Sequence, residues 1–361
     1  MAGVRYIGSK ARVADAITAL IGRPPSFRGR FVEPFCGTGA VAERAARLNW
    51  NVTLNDTLLS ATITAASRLI AEADVPFRRF GSYQRALDHL NSFPGREGFV
   101  FREYSPASKE RIGFERKYFS RPNAASIDAI RFAIEQLFSQ GEITRIEHRL
   151  LIADLMSAAS RVANIAGTYG CFLRNWLPQA SEKLILLPRA LFSRPVDLRV
   201  FCGDVLQVPV GPDDVVYLDP PYTKRQYAAY YHILETIAYG DEPEVTGITG
   251  LRPWVQNASR FCYRRKALRA ISEMIERIPA RRIFLSYSSE GHVAIQPLSE
   301  TLSALGRVSV AALANVGRYR PNAVARAAAA DVTEFLIGVE KTSVAHKSGA
   351  EIGTSRGALT P

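Results

Sequence analysis

Cysteine is scarce, with four residues in a chain of 361, and Cys36, Cys171, Cys202 and Cys262 are far apart and form no C-x-x-C pair. That argues against a disulfide framework and the common zinc motifs, and it fits a reducing compartment, so a cytoplasmic protein is expected. No apolar run approaches the roughly 20 residues that span a bilayer. The first residues, Met1 to Leu20, lack the continuous apolar core of a signal peptide. The five histidines, His89, His148, His232, His292 and His346, are scattered, and no metal site is indicated. Two further absences concern ligands. There is no Gly-Lys-Ser/Thr phosphate loop, and the one glycine-rich turn that follows a strand lacks the third glycine of a dinucleotide fingerprint.

What is present is ordinary globular material, 47% hydrophobic and 22% charged, enough for a large packed core. The balance of 46 Lys and Arg against 34 Asp and Glu leaves a formal charge of +12. A charge of that sign favours a polyanionic partner, because each cation placed on a phosphate releases a condensed counterion.

Along the chain, Val13, Ile17, Leu20 and Ile21 repeat at helical spacing and predict a helix over 10–22, ended by Pro24 and Pro25. Phe31-Val32-Glu33 reads as a short buried strand. A glycine-rich turn follows, then a helix from Ala40 to Leu48 and a second strand from Asn51 that ends at Asp56. Strand, glycine turn, helix, strand, acid is the local grammar of a doubly wound α/β fold. Residues 57–196 break that alternation. They read as mainly helical, as in Ile127–Leu137 and Ile146–Val162, with a basic and aromatic loop near 94–123. The strand pattern resumes at Leu198–Phe201, Val215–Leu218, Arg282–Ser286, Val308–Leu313 and Thr333–Val339, with helices near 226–239 and 264–278. The expected organisation is a core in two parts, 1–56 and 197–340, an inserted helical module at 57–196, and a disordered tail at 341–361.

Two motifs carry chemistry. In Phe35-Cys36-Gly37-Thr38-Gly39 the glycines let backbone approach a ligand without a Cβ in the way. Asp56, at the end of the next strand, suits a ribose diol. With no phosphate-binding signature, a nucleoside without phosphates is the expected ligand, and S-adenosylmethionine is one. The second motif is Asp219-Pro220-Pro221-Tyr222, directly after the apolar strand Asp214–Leu218. Two prolines end the sheet and fix a rigid turn where open α/β sheets bind ligands. A carboxylate, the carbonyl of Pro220 and the flat face of Tyr222 together match an amino group on a heteroaromatic ring.

At this point the chain resembles the alpha-ordered, Dam-like (D12-type) methyltransferases that act on the N6 amine of DNA adenine. The resemblance rests on Arg5-Tyr6-Ile7-Gly8-Ser9-Lys10, the glycine turn, a long insert and then Asp-Pro-Pro-Tyr, in that order. It is clearest at 5–56 and 202–235, plausible at 282–339 and weakest across the insert, although Asn164, Tyr169 and Arg174 fall in a stretch similar to some members' recognition regions. It implies a Rossmann-like class I methyltransferase sheet with the insert as target recognition domain. Asp219, Pro220 and Tyr222 would be catalytic, acting on a flipped-out base. Tyr6, Lys10, Phe35, Gly37, Gly39, Asp56 and Asp204 would hold S-adenosylmethionine, with the Lys10 ammonium beside its carboxylate and Asp204 on its adenine amine. Arg111, Arg116, Lys117, Arg121, Arg174, Arg264 and Arg265 are the expected contacts to double-stranded DNA, and a restriction endonuclease is the functional partner the resemblance implies. His232 reads as helix packing. The competing readings are methylation of another amine, such as cytosine N4, RNA adenine or protein glutamine, and a DNA-binding relative without activity. Ser or Asn commonly opens the tetrapeptide of those other amine families, so Asp219 argues against them.

Overall fold

The computed structural model describes residues 6–25, 29–313 and 332–342. Arg5 and nearly all of the expected tail lie outside the described residues. Seven strands form one sheet: β1 Arg30–Glu33, β2 Asn51–Asp56, β3 Leu198–Cys202, β4 Val215–Leu218, β5 Arg282–Ser288, β6 Gly306–Ala312 and β7 Glu334–Lys341. Their spatial order is β3-β2-β1-β4-β5-β7-β6. The first five pair in parallel, and β7 runs antiparallel between β5 and β6. This is the sheet of the expected class, and each predicted strand is there.

The central strands read as unbroken apolar runs because both faces are covered. Phe31, Val215 and Tyr217 face one layer with Val13, Ile17, Val41 and Ala45, while Val32, Val216 and Leu218 face the other with Ala267, Ile271 and Leu298. The first layer comes from helices α1 (Ala14–Ile21) and α2 (Ala40–Arg47). The predicted helix over 10–22 opens instead with a 3₁₀ turn at Lys10–Arg12 and becomes α-helical at Ala14.

Between β2 and β3 the chain builds helices α3 (Leu59–Ser67), α4 (Tyr83–Asn91), α5 (Phe99–Tyr104), α6 (Lys109–Ile112), α7 (Arg121–Ser139) and α8 (Arg145–Val162). They share a core of their own, with Leu87, Tyr104, Ile127, Ile134, Leu151 and Leu155. The stretch 94–123, expected as a loop, carries α5 and α6. A helix of six residues or fewer spans under two turns, too short for apolar periodicity to register. After α8 the chain runs to β3 without α-helix or strand, apart from a bridge between Ala71 and Phe192.

Past β4, the helix expected at 226–239 is interrupted at Tyr231 into α9 (Tyr227–Tyr230) and α10 (His232–Tyr239), and α10 packs Ile233, Leu234 and Ile237 into the helical unit's core. Helices α11 (Arg264–Arg277) and α12 (Ile295–Ser303) form the second layer of the sheet. His232 is fully buried against the carbonyls of Ala229 and Thr249, and burial pulls its pKa down to about 4, consistent with the packing role read for it.

Candidate functional site

A cavity of about 360 Å³ opens at the carboxyl ends of β1, β2, β3 and β4, where open α/β sheets take ligands. The turn after β1 forms its floor. Gly37 and Gly39 adopt φ of 47° and 71°, the left-handed region that glycine enters without penalty. A Cβ on Gly39 would lie 2.7 Å from the backbone of Ala65 in α3, so the glycine also allows α2 to start hard against that helix.

Asp56, at the end of β2, holds this turn: Oδ2 accepts from the Gly37 amide at 3.0 Å and Oδ1 from the Leu58 amide at 3.1 Å. Burial pushes its carboxyl up to about 6, against the pull of those amides. Each oxygen keeps a further lone pair, and Asp56 lines the cavity. Its neighbour Asn55 donates to the carbonyls of Pro34 and Gly203, tying the β1 turn to the β3 turn. Asp204 caps the short turn after β3 by accepting from Leu206, and it too borders the cavity. Phe35 packs edge-on to Phe261. Glu33, which ends β1 as Asp56 ends β2, is not among the expected site residues. It lines the cavity, accepts from the Ala42 amide at 2.9 Å, and is held well above the usual carboxylate range by burial.

The amino-terminal segment closes one side. Tyr6 stacks on Tyr231 with ring centroids 4.4 Å apart, over Gly37. The Ile7 amide donates to the Tyr231 hydroxyl at 2.7 Å, and the Tyr227 hydroxyl donates to the Ile7 carbonyl at 3.2 Å. Tyrosines one helical turn apart thus grip both backbone groups of one residue. Lys10 lies in the cavity wall, but its ammonium is committed elsewhere than expected: it sits 3.0 Å from Asp219 Oδ1 and donates to the Tyr222 hydroxyl at 3.2 Å. Burial alone would lower its pKa; Asp219, then Tyr222, Tyr217 and Glu334, outweigh that and hold it well above the ordinary lysine value. The ammonium expected beside a donor's carboxylate thus pairs with Asp219 in this structure, while Lys10 still lines the cavity.

Of the tetrapeptide after β4, Asp219 and Pro221 line the cavity, whereas Pro220 is buried and neither it nor Tyr222 forms part of the wall. Burial pushes the Asp219 carboxyl up to about 6, with Lys10 pulling it down and Glu334 adding to the rise. The Tyr222 hydroxyl donates to Glu334 Oε1 at 3.2 Å, and its ring lies 5.3 Å from Tyr287. Across the cavity runs the segment 256–261, anchored because the Gln226 side chain donates to the Ser259 carbonyl and accepts from the Ser259 amide. No periodicity in the sequence marks that segment. The cavity wall is acidic, with Glu33, Asp56, Asp204 and Asp219 against the engaged Lys10 and Arg260.

The basic residues divide. Arg264 and Arg265 are exposed at the start of α11, and Arg174 is exposed beside Lys117 in a shallow cleft with Phe114 and Phe172. Lys117 pairs with Glu115, Arg111 with Glu103, and Arg121 with Glu110. Arg116 is a correction: it is 2% exposed, with its guanidinium on Glu103 at 2.7 Å and on the carbonyls of Gly247 and Ile248. It welds the helical unit to the loop after α10 and has no surface to offer a phosphate.

Residues 6–295 match the family described as D12 class N6 adenine-specific DNA methyltransferase. The chain is 32% identical over 314 residues to the type II methyltransferase M.FokI of Planomicrobium okeanokoites, covering 84% of this chain and 47% of that protein. It is 28% identical to the modification methylase LlaI of Lactococcus lactis subsp. lactis over 99% of this chain and 58% of that protein. It is 32% identical to the type II methyltransferase M.NlaIII of Neisseria lactamica over 84% of this chain and 89% of that protein. The chain thus spans about half the length of M.FokI and LlaI and most of M.NlaIII.

Proposed function

The chain belongs to the D12 class N6 adenine-specific DNA methyltransferases, and on that premise we propose that it methylates the N6 amine of an adenine flipped out of double-stranded DNA, with S-adenosylmethionine as donor. The observation that carries this reading is Asp219. It is a carboxylate at the end of β4, in the wall of a cavity whose floor is the glycine turn.

The cavity fits the donor. Gly37 and Gly39 leave backbone bare where a Cβ would crowd Tyr6 or Ala65. The acidic wall favours a cationic nucleoside and disfavours a polyphosphate. In this reading Tyr6, Phe35, Gly37, Gly39, Asp56 and Asp204 hold the donor, Asp56 through ribose hydroxyls and Asp204 through the adenine amine. S-adenosylmethionine supplies an electrophilic methyl group on a sulfonium.

The protein's part is to make a poor nucleophile react. The N6 lone pair is delocalised into the adenine ring. Asp219 accepts one N–H, and the carbonyl of Pro220 the other, which favours a pyramidal nitrogen with its lone pair free. Positive charge grows on that nitrogen as the N–C bond forms at the expense of the methyl's C–S bond, which would leave a neutral thioether; the Asp219 carboxylate stabilises that charge more than it stabilises the neutral amine, and the surplus N–H proton would pass by way of it to solvent. Tyr222 gives the base a stacking face. Lys10 serves by orienting Asp219. A base inside a duplex cannot reach this depth, so the nucleotide is extruded, with the helical insert 57–196 selecting the sequence. Arg111, Lys117, Arg121, Arg174, Arg264 and Arg265 are the phosphate contacts in this reading. Relatives named modification methylases and type II methyltransferases support a site-specific role, which in this reading is played in the cytoplasm beside a restriction endonuclease.

The test is incubation with labelled S-adenosylmethionine and mixed-sequence duplex DNA, followed by nucleoside analysis. N6-methyldeoxyadenosine is expected, and its absence in every sequence context overturns the reading. Asp219→Ala is expected to cut turnover by roughly a thousandfold while calorimetric binding of the donor survives.

A further inference from the structure

Glu334 is the first residue of β7 and stands opposite Ser288 of β5. Its side chain is buried beneath the cavity. One oxygen accepts from the Tyr222 hydroxyl at 3.2 Å. The other accepts no hydrogen bond among the described residues and lies 3.7 Å from the Lys10 ammonium. That ammonium is also the partner of Asp219, at 3.0 Å. One buried cation is therefore shared between two carboxylates.

The sharing has an electrostatic consequence. Lys10 and Asp219 alone would form a closed ion pair, and an amine arriving at Asp219 would meet a neutralised acceptor. With Glu334 drawing on the same ammonium, the cluster carries a surplus negative charge when both acids are ionised. We propose that Glu334 is a positioning residue for methyl transfer: by taking up part of the Lys10 charge, it leaves the ionised Asp219 less neutralised, and so a stronger acceptor, toward the nitrogen on which positive charge develops. The proposal rests on the adenine-methylating reading of the site. The groups facing Asp219 from the surrounding elements are Lys10, Tyr217 on β4, Tyr222, Tyr227 on α9, Glu334 on β7 and Glu33 on β1. Lys10 pulls the Asp219 carboxyl down while Glu334 pushes it up, consistent with the two working against each other on one group.

The experiment pairs Glu334→Gln, which keeps the shape and the acceptor for Tyr222, with Glu334→Asp, which keeps the charge. Glu334→Gln is expected to lower kcat by at least about tenfold with KM for donor and DNA little changed, and Glu334→Asp to recover part of the loss. Independently of turnover, the Asp219 carboxyl is followed by carbon-13 NMR of aspartate-labelled protein, assigned with Asp219→Asn. Its pKa is expected to fall by about one unit in Glu334→Gln, because the like charge is gone. An unchanged Asp219 titration overturns the proposal, whatever happens to kcat, and so does an unchanged kcat. A lower melting temperature with both intact would make Glu334 a structural anchor of Tyr222 only. A wild-type protein that methylates no adenine overturns the reading of the reaction, and the titration still decides whether the charge is shared.

Discussion

The Ile7 amide lies 2.7 Å from the hydroxyl of Tyr231, and this bond fixes the amino-terminal segment over the glycine turn. Tyr6 stacks on the same ring. Removing the hydroxyl leaves the stacking but frees the amide of a residue in the cavity wall. Tyr231→Phe is expected to cost about 1 kcal/mol in stability and to raise KM for the methyl donor several-fold with kcat nearly unchanged. That pattern marks a loss of binding common to ground and transition states. Calorimetric titration with S-adenosylmethionine and steady-state kinetics check it, and a kcat loss as large as the KM change would refute it.

Lys10 acts on Asp219 in the opposite sense to Glu334. Its ammonium favours the ionised carboxylate and so holds the Asp219 pKa below where burial alone would set it, leaving it at about 6. Turnover needs that carboxylate ionised, so the acidic limb of the kcat–pH profile is expected near pH 6 in the wild type. Lys10→Met removes the downward pull, raises the Asp219 pKa, and moves the limb to higher pH. Activity at pH 7 should fall and partly return at pH 8.5–9, to the extent that DNA and protein tolerate it. A limb that stays put would show that Lys10 does not govern the ionisation of Asp219.

Arg116 and Arg174 look alike in the sequence and are expected to fail in different ways. Arg116→Met strips a buried guanidinium from Glu103 and leaves that carboxylate with fewer partners in a dry setting, a change that costs about 3–5 kcal/mol in comparable buried pairs. Denaturant unfolding should register it, while DNA affinity of the remaining folded protein changes little. Arg174→Ala should leave stability within about 0.5 kcal/mol and weaken DNA binding. The slope of log K against log salt should become shallower by about one. An unfolding curve like wild type for Arg116→Met, or an unaltered salt slope for Arg174→Ala, would break the assignment.

That contrast shows what could be read from residues alone. The strands were legible because Phe31–Glu33 and Val215–Leu218 are covered on both faces and so are apolar throughout. The glycine turn and Asp219-Pro220-Pro221-Tyr222 were legible because backbone rules force glycine and proline there. The charge clusters were not. Glu334 reaches Lys10 only because β7 turns antiparallel beside β5, a pairing set by topology and distant in the chain. Arg116 reads the same buried or exposed, and what decides is the fold that brings Glu103 and the carbonyls of Gly247 and Ile248 to its guanidinium. The segment 256–261 has no periodic pattern, and its place over the cavity is set by contacts distant in the chain, Gln226 on Ser259 and Phe35 on Phe261.

Gly39 is the sharpest test of the cavity floor. It holds φ at 71°, and a Cβ there would come within 2.7 Å of both the Cα and the Cβ of Ala65. Ala65 sits in the last turn of α3, whose backbone cannot retreat without disturbing Ala66 and Leu69 against the sheet layer. Gly39→Ala therefore combines a strained dihedral with a contact that only backbone movement can relieve. It is expected to cost about 2–4 kcal/mol and to weaken donor binding at least about tenfold, because Gly37 and the amide bound to Asp56 shift with it. Gly22→Ala is the matched control. Its φ is also positive at 85°, with ψ at −173° in a region nearly reserved for glycine, but a Cβ there meets nothing within 4 Å, and the site is at the far end of α1. The strain alone should cost about 1–3 kcal/mol and leave donor affinity unchanged. Thermal unfolding and donor calorimetry on the two variants separate dihedral strain from the close approach of α2 to α3. Equal donor affinities would mean that the tight packing under Gly39 is not what shapes the cavity.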